Sequence, residues 1–224
     1  MHVNTLEIYC HPDDGSHNHR VLDAVIRGLA AAGTTHEMLD LYRSEFDPRL
    51  HAGEYQRMFV TRTPGADDDV LRLQAQVAAA ANLVFVYPVW WYNLPACLKG
   101  YIDRVFTPGF AYRFRPFTPW RRVGAGVLAR IPGVRYLLQP YAARGLLRGK
   151  QAWIFRTYGG PPSGRLLFGN TTTVLENVVL RFCGITDITI CELYGAHLPG
   201  DAAGRERRHL ARVERTAQTI RNNR

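Results

Sequence analysis

Lysine is almost missing from this chain. Lys99 and Lys150 are the only two among 224 residues, so the formal net charge of +9 is an arginine charge scattered along the length. Scattered charge without aromatic residues interleaved in a basic stripe does not make a surface that reads nucleic acid, and no nucleic-acid partner is expected. Cysteine is scarce as well. Cys10, Cys97, Cys183 and Cys191 form no C-x-x-C pair and fall inside segments that read as strands or helices. That pattern speaks against a disulfide framework or a zinc site and leaves the thiols as small hydrophobes. His11, His17 and His19 crowd one loop, but no partner stands elsewhere at ligand spacing, so no metal is expected. A run of ~20 apolar residues, the length of a bilayer span, is absent, and the N-terminus opens as a strand rather than a signal sequence, so a cytoplasmic protein is expected. No G-x-G-x-x-G occurs. "GRLLFGNT" from Gly164 has the glycine spacing of a P-loop but carries Asn170 where a phosphate-binding lysine must stand, which excludes an NTPase of that type.

What is present is a regular alternation. With 46% hydrophobic residues, the chain is long enough to bury one core, and no internal repeat or composition shift divides it: residues 1–224 read as a single domain. "TLEIYC" reads as a strand and "HRVLDAVIRGLAAAG" from His19 as a helix stopped by Gly33. "THEMLDLY" and the apolar run "NLVFVYPV" are strands, with the helix "DDDVLRLQAQVAAAA" between them and "PACLKGYIDRVF" after them. "QAWIFRTY" and "TDITICELY" are the fourth and fifth strands. They flank "NTTTVLENVVLRFCG", a helix capped by Asn170 or a following threonine. A last helix places Leu210, Val213, Ala217 and Ile220 on one face, with Arg205, Arg207 and Arg208 turned outward. Strands alternating with helices make an α/β protein with a parallel sheet covered on both faces. Two long segments interrupt the rhythm, Arg43 to Gly65 and an insertion at about 113–145 before strand four. The second is a candidate lid or oligomer contact.

In such a sheet, ligands bind beyond the carboxyl ends of the strands. The loop "HPDDGSHN" puts Ser16, His17 and Asn18 at the mouth of a helix, where side chains and free amides hold a phosphate; ordinary N-capping by Ser16 is the alternative. The loop "VWWYNLP" ends a strand in Trp90, Trp91 and Tyr92, with the amides of Trp90 to Asn93 released by the end of the ladder. Flat apolar surface edged by donors suits an isoalloxazine ring. The alternative sends one tryptophan into the core and the other to a subunit contact. Asn93 is the expected cap of the next helix, with Pro95 in its first turn.

"YPVWWYNLPACLKGYIDRVFTPGFAY", residues 87 to 112, resembles the signature of the flavodoxin-like NAD(P)H:quinone oxidoreductase family, which includes mammalian quinone reductases and bacterial relatives. The likeness extends to "HPDDGSHN", "DLYRSEFDP", "GLLRGKQAWIFRTYGG" and "LRFCGITDITICELYGAH", in the family's order and over nearly the whole chain apart from the insertion. It implies a three-layer sandwich with a five-stranded parallel sheet of order 2-1-3-4-5 and a bound flavin, FAD or FMN. It also implies NAD(P)H as co-substrate, a quinone-like acceptor reduced by a two-step ping-pong cycle, and a homodimer whose partner completes each pocket. By this resemblance His11, Ser16 and Asn18 match the loop on the flavin's phosphate side, with Gly15 replacing a frequent hydroxyl residue and His17 an aromatic. Pro88, Val89, Trp90, Trp91, Tyr92 and Asn93 match the segment along the ring edge, and Thr157, Gly159 and Gly160 the loop across it. Tyr158 departs from the family's T-T-G-G, and either Tyr158 or solvent is the candidate proton donor. The Tyr and His that follow in the mammalian enzymes have no counterpart in "PPSGRLLFGN", so their proton relay does not transfer. Arg165 and the insertion arginines are candidates for the extra phosphate of NADPH, against a plain surface role. Two rival readings keep the fold. One is a one-electron flavodoxin-type carrier, which the charge of +9 opposes; the other is a regulatory subunit of a membrane transporter that docks through the basic insertion.

Overall fold

The computed structural model describes residues 4–63, 65–116, 141–164, 167, 171–196 and 200–221. In chain order the strands are β1 (Thr5–Tyr9), β2 (His36–Asp40), β3 (Asn82–Pro88), β4 (Tyr112–Pro116), β5 (Tyr141–Gly145), β6 (Gln151–Thr157) and β7 (Asp187–Leu193). Five of them form one parallel sheet in the order β2-β1-β3-β6-β7, while β4 and β5 pair antiparallel as a separate ribbon. Once the ribbon is set aside, the order is the 2-1-3-4-5 that the family resemblance implies. β3 is buried along its whole length, as a strand apolar on both faces must be. Register carries the apolar rows across the sheet: Ile8 lies beside Phe85, Phe85 beside Ile154, and Ile154 beside Ile190.

Helices cover both faces. On one side α1 (His17–Ala31) presents Val21, Val25 and Leu29 to Val84, Val86 and Phe155. Against α1 packs the last helix, α6 (Ala202–Ala217), with Val213, Ala217 and the following Ile220 buried and Leu210 packed at the edge. The two helices approach so closely at Gly28 that a Cβ there would lie 2.5 Å from the Ala217 Cβ. Arg207 and Arg208 face solvent, as the helical period predicts. On the other side lie α3 (Asp68–Ala79), α4 (Ala96–Val105) and the π-helical α5 (Val174–Leu180). They contribute Leu73, Leu98, Tyr101, Leu175 and Leu180 to a second core, each large apolar side chain adding roughly 1.5–3 kcal/mol by its burial. Cys10, Cys183 and Cys191 are buried free thiols and Cys97 is partly buried, which agrees with their reading as small hydrophobes.

The structure differs from the sequence expectation at several boundaries. α1 begins two residues before His19, because Ser16 caps it by accepting the His19 amide at 3.1 Å. Residues 43–65, expected as a loop, hold the short helix α2 (Ala52–Tyr55), which runs on as a π-helix over Gln56–Thr61. The segment is seated on α4 by Gly100, whose missing Cβ would fall 2.1 Å from the Pro48 carbonyl oxygen. The ends of the expected insertion are the β4–β5 ribbon, and residues 117–140 between them lie outside the described residues. The cap expected at Asn170 also lies outside them. α5 follows a 3₁₀ turn, Thr171–Thr173, without a side-chain cap from Thr173.

Candidate functional site

Strand order reverses between β1 and β3, and the loops after β1, β3 and β6 converge there at the carboxyl edge of the sheet. The first loop is held by its own side chains. The Asp13 amide donates to His11 Nδ1 at 3.1 Å and the Gly15 amide to Asp13 Oδ1 at 2.9 Å. Asp14, in the loop before α1, forms an ion pair with Arg43 at 2.5 Å. That pairing offsets one carboxylate near the helix N-terminus; another, Glu206, lies 3.0 Å from His17 and is paired with Arg20.

The second loop is strained. The Trp90 and Asn93 amides and carbonyls pair with each other, at 3.2 and 2.9 Å, closing a two-residue turn. Both central residues take left-handed dihedrals, φ 50° at Trp91 and 56° at Tyr92. Such turns select Asn-Gly, and two bulky aromatic residues there cost on the order of 1 kcal/mol or more each. Two of the four amides expected to be free are therefore bonded within the turn. Asn93 is not a helix cap either: its Oδ1 accepts the adjacent Leu94 amide at 2.8 Å, and Pro95 occupies the cap position of α4. The turn directs the Trp91 side chain outward, where it is 99% exposed. Tyr92 folds the other way, its hydroxyl resting over Gly164, where a Cβ would meet it at 2.2 Å.

The third loop joins the other two. Asn18, buried in the first turn of α1, donates Nδ2 to Thr157 Oγ1 at 3.0 Å, and the Val89 amide donates to the Thr157 carbonyl at 2.8 Å. Tyr158 and Gly160 continue the β6 pairing into residues 193–196: the Tyr158 amide bonds Leu193 O and the Gly195 amide bonds Gly160 O, both at 2.8 Å. Between the second and third loops opens a cleft of ≈ 290 Å³ lined by Val89, Trp91, Tyr92, Tyr158, Gly159, Gly160 and Pro161. Two larger depressions lie away from the loops after β3 and β6. One of ≈ 550 Å³ runs along Glu54 to Arg62 and the ribbon, and an open groove of ≈ 590 Å³ runs between α1 and β2. The smaller cleft is the candidate site, because it alone of the three combines the switch point with strained, exposed aromatic backbone.

Most of the residues expected from sequence meet here. His11 and Trp90 bring their rings to 6.0 Å, Asn18 and Thr157 are bonded, and Pro88 ends β3 beneath the turn. His17 turns aside to Glu206 at 3.0 Å and to the His209 ring at 6.0 Å, and His19 faces Asp14 and Asp23, so the three histidines diverge. Ser16 uses its hydroxyl as the α1 cap. Tyr158 is buried, and its hydroxyl donates to Glu192 Oε1 at 3.0 Å. Arg165 lies outside the described residues.

Sequence reasoning missed what lies behind the third loop. Arg156 is 1% exposed and sits between the Glu176 and Glu192 carboxylates. Burial alone would raise the Glu192 carboxyl, but Arg156, Tyr194 and Tyr158 bind its charged form and hold it below the ordinary glutamate value. One signal was available: an arginine near the end of an otherwise apolar strand, matched in register by a glutamate at the same level of the next strand.

A flat ring with a phosphate-bearing tail fits these residues. An exposed aromatic side chain, a glycine pair across the cleft and the α1 N-terminus joined to the third loop through Asn18 and Thr157 supply stacking surface, close backbone approach and an anion site.

A family model described as flavodoxin-like fold matches residues 3–217. The chain is 29% identical over 214 residues, 93% of its length and 92% of the relative's, to an uncharacterized NAD(P)H oxidoreductase of Haemophilus influenzae. Among solved structures, an NAD(P)H:quinone oxidoreductase from Methanothermobacter marburgensis has a TM-score of 0.75 and 26% identity, covering 98% of this chain and 97% of that one. An FMN-dependent NADH-azoreductase from Bacillus anthracis, in complex with FMN, has a TM-score of 0.69 at 17% identity over 96% of this chain and 98% of that one; it shares the fold.

Proposed function

Since this chain belongs to the flavodoxin-like family, we propose that it is a flavin-dependent NAD(P)H oxidoreductase of the quinone-reductase type, using the cleft after β3 and β6. The observation that carries the reading is the left-handed Trp91–Tyr92 turn facing Gly159 and Gly160 across that cleft. In this reading Val89 to Tyr92 line the ring edge, Gly159 and Gly160 approach from the other side, and the first turn of α1, fixed by Ser16 and Asn18, receives the phosphate. A bound flavin, FMN or FAD, supplies two-electron chemistry: NAD(P)H gives a hydride, and the acceptor takes two electrons with one proton from the hydride and one from water. The names of the H. influenzae and M. marburgensis relatives support the nicotinamide co-substrate and a quinone-like acceptor. One cleft for both reactants supports an alternating cycle, which parallel double-reciprocal plots would check. The cytoplasm, where NAD(P)H is abundant, is the proposed location. Tyr158 is assigned a positioning role, since its hydroxyl is bonded to Glu192, and water supplies the second proton.

A homodimer belongs to the same reading. Phe59, Phe114, Val178 and Phe182 leave large apolar surface exposed around a groove of ≈ 280 Å³, the kind of patch a second copy covers. Light scattering that gives a monomer would remove this element.

The decisive test is mass spectrometry of the chromophore released on denaturation, followed by NAD(P)H oxidation with a simple quinone. A yellow protein that yields FMN or FAD and turns over is expected. A colourless protein that stays so after incubation with either flavin would overturn the proposal.

A further inference from the structure

Gly164 is buried and closes a turn, its amide donating to the Pro161 carbonyl at 3.2 Å. Its dihedrals lie outside the left-handed region that reserves a position for glycine, so the backbone would accept alanine. Space is what excludes a side chain. A Cβ on residue 164 would fall 2.2 Å from the Tyr92 hydroxyl oxygen, 3.2 Å from Cζ and 3.4 Å from Cε1. Held at φ 56° in the loop after β3, Tyr92 therefore reaches across to the chain beyond β6. The same residue lines the cleft with Gly159, Gly160 and Pro161, so one phenol joins its two walls. The cleft it bounds, ≈ 290 Å³, sits at the floor of the roughly 300–1,000 Å³ of ordinary small-molecule sites. Hydride transfer asks for more room than one flat ring takes, because it brings a second molecule to about 3–3.5 Å from the first.

We propose that Tyr92, seated on Gly164, sets which acceptors the cleft admits: the seated ring passes narrow, single-ring acceptors and must leave its seat for wider ones. Gly164 is the positioning residue, acting through Tyr92. The inference rests on the flavin reading of the cleft and adds a size rule to it. Gly164→Ala leaves the backbone as it is and fills the seat. What the new methyl meets is the far end of a side chain, so Tyr92 gives way rather than the fold.

The test compares kcat/KM for a single-ring benzoquinone with that for the three-ring phenanthrenequinone, using flavin-loaded protein. In Gly164→Ala the ratio should move toward the wide quinone by about tenfold, mainly through KM. A second readout needs no turnover. Quenching of flavin fluorescence when FMN, or in a parallel series FAD, is mixed with apoprotein should be several-fold faster in the variant. Tyr92→Ala removes the ring and should give the same two shifts; in that background Gly164→Ala should add nothing. Tyr92→Phe removes every hydrogen bond of the hydroxyl but keeps a ring on the seat, and should hold the wild-type ratio whatever it does to the rates. A wild-type ratio or a wild-type uptake rate in Gly164→Ala overturns the inference, as does a full effect of Gly164→Ala in the Tyr92→Ala background. A Tyr92→Phe ratio equal to that of Gly164→Ala also overturns it, because the hydroxyl's bonds would then be what holds the ring. In each of these cases the wild type still binds flavin. A wild type that binds neither FMN nor FAD sinks the site reading itself.

Discussion

Glu7 offers a test of the core that is independent of any ligand. It lies in the middle of β1, fully buried, between Met38 of β2 and Val84 of β3, and desolvation pushes its carboxyl from 4.5 up to about 8. Its Oε1 lies 2.7 Å from His36 Nδ1, but neither carboxyl oxygen is hydrogen-bonded. The folded protein therefore keeps a proton that the unfolded chain releases. This contribution to stability is complete below about pH 4.5 and is lost as the pH rises through about 8. The slope within that window is about 1.4 kcal/mol per pH unit, an upper figure of about 5 kcal/mol in all. Because the interior responds with an effective dielectric well above that of dry protein, about 2–5 kcal/mol is the expected range. Glu7→Gln keeps the shape but cannot ionise. Urea unfolding of both proteins from pH 5 to 9 should show the wild type losing stability relative to the variant. The gap should widen by that amount, about 4–20 °C in Tm. Groups common to both chains cancel in the difference. Two curves that run parallel across the range would refute the reasoning.

Two further outcomes follow from the same structure. Replacing Trp91 by Asn and Tyr92 by Gly gives the turn the residues its dihedrals favour, and thermal denaturation should show a gain of about 1–3 kcal/mol, with flavin affinity lowered at least tenfold; a variant less stable than wild type would mean that the turn is relaxed. Arg104, 2% exposed, ties α4 to Glu54 of α2 at 2.9 Å and to Asp69 of α3 at 2.9 Å, so Arg104→Met leaves buried carboxylate unpaired and should cost about 3–5 kcal/mol. A loss under 1 kcal/mol in denaturant unfolding would show that water replaces the guanidinium.

Much of the site was legible because it is built from contiguous segments. Pro88 to Asn93 and Thr157 to Gly160 are each one loop, and their residue types state their chemistry wherever the chain carries them. The unread parts depend on backbone geometry or on pairing at a distance. Nothing in "WWYN" announces that the turn closes on itself through Trp90 and Asn93, which is why Asn93 was expected as a cap. Nor does "RTYGG" announce that the Tyr158 hydroxyl is bonded to Glu192, which β7 brings beside it from 34 positions along the chain.

The sequence by itself determined the alternation of strand and helix, the buried central strand and the position of the loops, since hydrophobic period and turn residues act locally. Tertiary structure decided which charges meet. Arg156 finds Glu192 only because β6 and β7 lie in parallel register, and Glu176 only because α5 packs over them. The Glu7 carboxyl is pushed upward only because burial in β1, between β2 and β3, removes it from water. Desolvation and register are properties of the assembled sheet, and no single stretch of sequence contains them.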